Sequence, residues 1–117
     1  MSLFSLLISL AIGLKPIITS SSDKKLEDLR AKVGVPDLIG YNYRTHPDQA
    51  AEVKKLTNGR GADLIIDNTG PPGIPADLDS LVRQNGIISI VGFLGGMTAD
   101  WNPGLLLGLI GKTARLQ

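Results

Sequence analysis

Cysteine is absent, so the chain can form no disulfide and offers no thiolate to a metal. Histidine occurs once, as His46, and a zinc site would have to combine that single imidazole with carboxylates. The expectation is therefore no zinc. Aromatic residues are scarce at 4%, against 43% apolar residues in all, so the core of this 117-residue chain has to be aliphatic. Charge of one sign is not in excess. A net charge of +1 gives neither a nucleic-acid surface nor an acidic tail. A long hydrophobic run is also lacking. Met1 to Leu14 is nearly all apolar, but a bilayer span needs about 20 such residues. No Lys or Arg precedes the run and no small-x-small cleavage site follows it. Residues 2–13 read as a helix buried on most of its surface, with Gly13 near its end, in a cytoplasmic protein with no membrane partner.

Strand-like and helix-like segments alternate after that run. PIITS, residues 16–20, reads as a short β-branched strand. Ser21, Ser22 and Asp23 offer capping oxygens for a helix over 24–33, which Gly34 closes. Residues 38–42 read as a second strand. Thr45 to Asp48 has the form of a capping box, with Pro47 in the first turn of a helix that ends near Asn58-Gly59. ADLIIDN, residues 62–68, is a third strand, and its unbroken apolar centre suits a sheet covered by helices on both faces. A stiff Pro-rich loop and a helix over 76–83 lead to a fourth strand, IISIVGF, residues 87–93. A last helix over 105–110 and the opening of another strand at 113–117 follow. This order predicts an α/β fold: an incomplete doubly wound parallel sheet, Rossmann-like, with flanking helices.

In open parallel sheets a ligand sits beyond the carboxyl ends of the strands. Four loops matter here: Ser20 to Lys25, Asn42 to Arg44, Asn68 to Gly73 and Gly92 to Gly96. An NAD site wants a carboxylate at the end of the second strand, to accept from the ribose hydroxyls. Ser20 to Ser22 followed by Lys24 and Lys25, at a helix start, suits a phosphate instead. Asp23 remains available to a ribose hydroxyl. An ordinary serine-rich cap with solvated lysines is the plainer account of the same residues. His46 reads as a helix-start residue, and Lys54, Lys55 and Arg60 as a solvated face. Gly104, Gly108 and Gly111 fall in too short an apolar stretch for a membrane dimer motif. Trp101 reads as a loop or interface anchor. Asp67, alone at a strand end, is weak evidence for a general base.

The blocks TSSSDKKLE, NYR, TNGRGAD and the NP…ARLQ ending, met in this order, are more specific than any one of them. Over nearly the whole length the chain resembles the cofactor domain of medium-chain dehydrogenases/reductases, of the NADPH-using quinone oxidoreductase-like and zinc-type alcohol dehydrogenase-like kind. The resemblance implies NADP as cofactor. Ser20 stands where NAD-using relatives keep an acid. Ser21, Ser22 and Lys24 or Lys25 would face the adenosine 2′-phosphate, with Tyr43 nearby. Asn68, Thr69 and Gly70 would border the cofactor, and Val91, Gly92, Phe93 and Leu94 would approach its nicotinamide half. No catalytic residue is implied.

Against the family pattern the first strand, its glycine-rich turn and the catalytic domain have no counterpart in these residues. Residues 1–117 are thus expected to be a partial NADP-binding Rossmann domain, a fragment of an oxidoreductase with negligible turnover alone. The parent chemistry would be hydride transfer between nicotinamide and a carbonyl, enone or quinone. The alternative is a non-catalytic interaction module whose sheet a partner completes, with a homo-oligomer or a partner chain covering exposed apolar surface. A third reading, secretion or membrane signal plus cargo, is disfavoured because the apolar start matches an internal helix of the family.

Overall fold

The computed structural model describes residues 2–98 and 103–117, which fall into two compact units divided between Asp48 and Gln49. Trp101 lies outside the described residues.

The first unit contains α1 (Ser2–Ala11), β1 (Ile17–Ser20), α2 (Asp23–Val33) and β2 (Ile39–Asn42). β1 and β2 run parallel, in register from Ile17 opposite Ile39 to Ser20 opposite Asn42. α2 packs on both strands and buries Leu26. Its limits are set by its sequence. Ser22 is the N-cap and its side chain accepts from the Lys25 N–H. Gly34, at φ 72°, ends the helix in the left-handed region. There the Gly34 N–H reaches the Ala31 carbonyl and the Val35 N–H the Arg30 carbonyl. That pair of bonds is a Schellman closure, and glycine takes the required φ without steric cost. The Arg30 guanidinium then ties helix to strand, its Nε donating to the Leu38 carbonyl at 2.8 Å.

α1 corrects the sequence expectation. Leu6 is buried, while Leu3, Phe4, Leu7, Ile8 and Ile12 are exposed. The run is apolar on nearly every face, so its composition does not say which side finds a partner. Among the described residues no element packs along it as extensively as α2 packs on β1 and β2.

The second unit contains α3 (Gln49–Leu56), β3 (Leu64–Asp67), a 3₁₀ turn (Pro71–Gly73), α4 (Ile74–Ser80), β4 (Ile87–Ile90), α5 (Pro103–Gly111) and β5 (Arg115–Leu116). The strands are parallel and ordered β3-β4-β5. Ile74, Leu78, Leu81, Ile88 and Leu105 form the buried cluster, with Ile65, Ile90, Leu109, Ala114 and Leu116 packed against it. Each such side chain contributes about 1.5–3 kcal/mol by leaving water. Gly108 allows α5 its approach to α4, since a Cβ there would lie 2.7 Å from Leu78 Cδ2. Gly108 thus serves helix packing, whereas a Cβ at Gly111 would meet open space.

Several expected boundaries shift, each for a local reason. The capping box does not form: α3 begins at Gln49, and the Thr45 hydroxyl turns back to the Asn42 carbonyl. α4 stops at Ser80 because Leu81 is extended and bridges to Ala62, whose N–H and carbonyl bond Ser80 and Val82. β4 stops at Ile90, where its partner β3 turns at Asp67. Helices do not cover both faces of β3, because Leu64 and Ile66 are 45% and 41% exposed. Alternation along the strand sends Ile65 to the core and those two the other way. Among the described residues no strand pairs with the second edge of β1 or of β3. The architecture is α/β with parallel strands, of Rossmann type. No described helix is long and apolar enough to cross a membrane.

Candidate functional site

One device recurs at the carboxyl ends of the first three strands. The last strand residue carries a side-chain oxygen that accepts the backbone N–H two residues on. Ser20 Oγ accepts from Ser22 at 3.3 Å. Asn42 Oδ1 accepts from Arg44 at 2.9 Å. Asp67 Oδ1 accepts from Thr69 at 2.6 Å, and its Oδ2 takes the Gly70 N–H at 3.1 Å. These are the local side-chain turns that Ser, Asn and Asp favour. They set the backbone leaving each strand before any ligand is considered.

In the first unit the tips of β1 and β2 lie side by side. The Tyr43 N–H donates to the Ser20 carbonyl at 3.0 Å, so Tyr43 extends the ladder past β2. Ser20, Ser21 and Ser22 are half-buried, whereas Lys24, Lys25 and Tyr43 are exposed. The two lysines stand at the second and third positions of α2, after Asp23. Ser20 and Ser22 each accept one backbone N–H and keep their O–H protons as donors.

In the second unit the loops after β3 and β4 run against each other. Val91 donates to the Asp67 carbonyl, Leu94 to that of Asn68 and Gly95 to that of Thr69, at 2.8, 2.9 and 2.9 Å. Gly70 sits at φ 86°, and a Cβ there would lie 3.0 Å from the Gly92 carbonyl and from Phe93 Cδ1. Only glycine fits that position, and what it admits is the neighbouring loop. Val91, Phe93 and Leu94 are left exposed, Leu94 by 90%.

Two residues shape these tips in ways sequence reasoning did not assign, although Asn42 opens one of the four loops it singled out. Asn42 is buried, and only its place at a strand end hinted at the turn it anchors. Asp77, on the first turn of α4, is 4% exposed and lies on the apolar stripe of Ile74, Leu78 and Leu81. An acid on such a stripe is the signal that could have found it. Its Oδ1 accepts from Gln49 Nε2 at 2.8 Å, and its buried Oδ2 meets no N–H or O–H donor among the described residues. Burial pushes this carboxyl up to about 7; the Gln49 bond works the other way, and the charge and hydrogen bond of Asp67 raise it further. Asp67, set aside from the sequence as a base, is buried with both oxygens engaged by its own turn.

Parallel strands joined through helices, with polar, glycine-bearing tips, define an α/β domain of Rossmann type. The zinc-binding dehydrogenase family matches over residues 2–114, and the chain belongs to it. It is part of the medium-chain dehydrogenase/reductase superfamily and corresponds to the C-terminal domain there. A zinc-type alcohol dehydrogenase-like protein of Schizosaccharomyces pombe is 35% identical over 109 residues, which are 93% of this chain and 30% of that protein. A solved NAD-dependent alcohol dehydrogenase superposes with a TM-score of 0.79 at 28% identity, covering 98% of this chain and 31% of the other. The Escherichia coli quinone oxidoreductase solved with NADPH superposes at 0.78 over 98% of this chain and 33% of its own length, at 23% identity, a likeness of fold. The chain spans about a third of the length of these relatives. The family is one of nicotinamide-dependent oxidoreductases. Among the described residues no group of three or more His, Cys, Asp or Glu could hold a metal ion.

Proposed function

We propose that this chain supplies the adenosine side of an NADPH site in an oxidoreductase that moves hydride between nicotinamide and a carbonyl, enone or quinone. One observation carries the reading: the β1 tip presents Ser20, Ser21 and Ser22, then the N-terminus of α2 with Lys24 and Lys25. The donor set fits a phosphate monoester. Hydroxyl protons, first-turn N–H groups and two ammonium groups all point to an oxyanion. A dianion gains more there than a neutral ribose hydroxyl, which would need an acceptor in place of Ser20. Asp23 is the acceptor left for the adjoining ribose. Tyr43 borders the same end. Asn68, Thr69 and Gly70 would border the cofactor, and exposed Val91, Phe93 and Leu94, with Gly92 between them, would meet its nicotinamide half.

When bound, the nicotinamide supplies or accepts the hydride, and these residues bind and orient it. The reading assigns no zinc, because cysteine is absent and His46 is the single histidine. It assigns no nucleic-acid or membrane partner, and it sets the protein in the cytoplasm. It also treats residues 1–117 as a partial domain that does not turn over alone.

Titration of the purified chain with NADPH and NADH tests this. We expect weak binding that favours NADPH by about tenfold, roughly 1.4 kcal/mol, with the preference lost in Lys24→Ala/Lys25→Ala. Equal affinity for the two cofactors, or a preference the double variant keeps, would sink the assignment. NADPH oxidation with quinones and enones at about 1–10³ s⁻¹, the usual enzyme range, would refute the claim of inactivity alone.

Exposed Phe4, Ile12, Leu94 and Ile110, with the unpaired edges of β1 and β3, support a second reading as an interaction module. A folded monomer by size exclusion with light scattering would count against it.

A further inference from the structure

Asp67 acts on two peptide planes at once. Its Oδ1 accepts the Thr69 N–H at 2.6 Å and its Oδ2 the Gly70 N–H at 3.1 Å. A peptide unit is planar and trans, so its N–H and its C=O point in opposite directions. The Thr69 N–H shares its plane with the Asn68 carbonyl, and the Gly70 N–H shares its plane with the Thr69 carbonyl. Holding each N–H against the carboxylate therefore aims each carbonyl away from it. Those are the two carbonyls that receive the loop after β4. The Leu94 N–H donates to Asn68 and the Gly95 N–H to Thr69, both at 2.9 Å.

Among the described residues little else fixes that loop. β4 ends at Ile90, and one more bond, from the Val91 N–H to the Asp67 carbonyl at 2.8 Å, follows it. Val91, Phe93 and Leu94 are exposed, so their own burial adds little. The two loops nevertheless meet closely, since a Cβ on Gly95 would lie 2.6 Å from Thr69 Cγ2. Asp67 itself is buried, which keeps water from competing for its two amides. The tips of β1 and β2 have half of this arrangement: Ser20 and Asn42 each bring one side-chain oxygen and hold one N–H.

We infer that Asp67 is a positioning residue for the loop after β4: its two carboxylate oxygens orient the Asn68 and Thr69 carbonyls, and these place Leu94 and Gly95. The effect passes through the main chain. Asp67 is enclosed, and the surface it shapes is the one that Val91, Phe93 and Leu94 present. That Phe93 and Leu94 meet the nicotinamide half of a dinucleotide rests on the function proposed above; on that reading Asp67 sets the nicotinamide side of the site without touching the cofactor.

Amide hydrogen exchange on the 117-residue chain, corrected for intrinsic rates, tests it. Asp67→Ala releases both planes, and protection of Leu94 and Gly95 is expected to fall about tenfold, the worth of one hydrogen bond to a charged group. Asp67→Asn keeps an oxygen for Thr69, as Asn42 does for Arg44, and turns toward Gly70 an amide that cannot accept. The path of the turn is then kept, Leu94 stays protected and Gly95 alone falls. The Ile90 N–H on the Gln117 carbonyl and the Gln117 N–H on the Ile88 carbonyl report on the sheet, and both are expected to hold in either variant. Equal falls at Ile90 and Gln117 would reduce Asp67 to a general stabiliser and overturn the inference. So would Leu94 and Gly95 left unchanged by Asp67→Ala. If a variant does not fold, the wild type decides. Leu94 exchanging with Thr69, and Gly95 with Gly70, at matching protection supports the linkage, whereas Leu94 and Gly95 exchanging freely beside protected Thr69 and Gly70 refutes it. A chain that shows the linked pattern and binds no NADPH keeps this inference and loses the proposed function.

Discussion

In the second unit five side chains, four from α4, β4 and α5 and the fifth from Leu81 just after α4, are buried against one another, with Ile74 and Ile88 fully enclosed. In the first unit Leu6, Leu26, Leu38 and Tyr41 are buried, but they do not belong to that cluster. α2 is fixed there by buried Leu26, by a cap at each end and by the reach of Arg30 to Leu38. Apolar burial is worth several kcal/mol per site, whereas caps and exposed bonds are worth about one or less. The comparison teaches that the two ladders resist disturbance by different means. The three-stranded one has a five-residue buried cluster, and the two-stranded one adds helix caps and the Arg30 tie to the burial of Leu26, Leu38 and Tyr41.

Three substitutions test that contrast. The largest effect is expected from Ile88→Ala, which opens a hole at the centre of the buried cluster. It should cost about 2–5 kcal/mol, read from urea unfolding followed on amide signals of residues 49–117. A loss below about 1 kcal/mol would show that the second unit is not held by its core. Next comes Ser22→Ala, which removes the oxygen that accepts from Lys25. About 1 kcal/mol of α2 stability should go, seen as faster exchange of the first-turn amides. An unchanged exchange pattern would remove capping as the explanation for this unit. The smallest belongs to Glu27→Ala. Glu27 meets Arg30 at 2.6 Å, yet its side chain is 71% exposed. The change should stay below about 0.5 kcal/mol, and a larger one would make the surface pair a structural member of the first unit.

The same contrast decides how much could be read from the residues. α2 was legible at both ends, because Ser22 and Gly34 act on their own neighbours. The start of α3 was not, because Thr45 prefers the Asn42 carbonyl to the helix it was expected to cap. The run IISIVGF stays apolar through Phe93, but a ladder ends where its partner turns, and that depends on Asp67 in another segment. Burial of α1 was misjudged for the same reason, since an all-apolar helix names no partner. At the candidate site the Ser20–Lys25 tip could be read as a local phosphate-type loop. Asp77 left one trace, an acid on an apolar stripe, but its acceptor role is set by Gln49, 28 residues away in sequence.

Ser20, Asn42 and Asp67 show that hydroxyl, amide and carboxylate can all perform the same turn-closing task at the end of a strand. A position of this kind can exchange one of those side chains for another, and so change its charge, while the main chain around it keeps its course. Over generations the chemistry offered to a ligand is then free to drift on a scaffold that does not have to be reinvented.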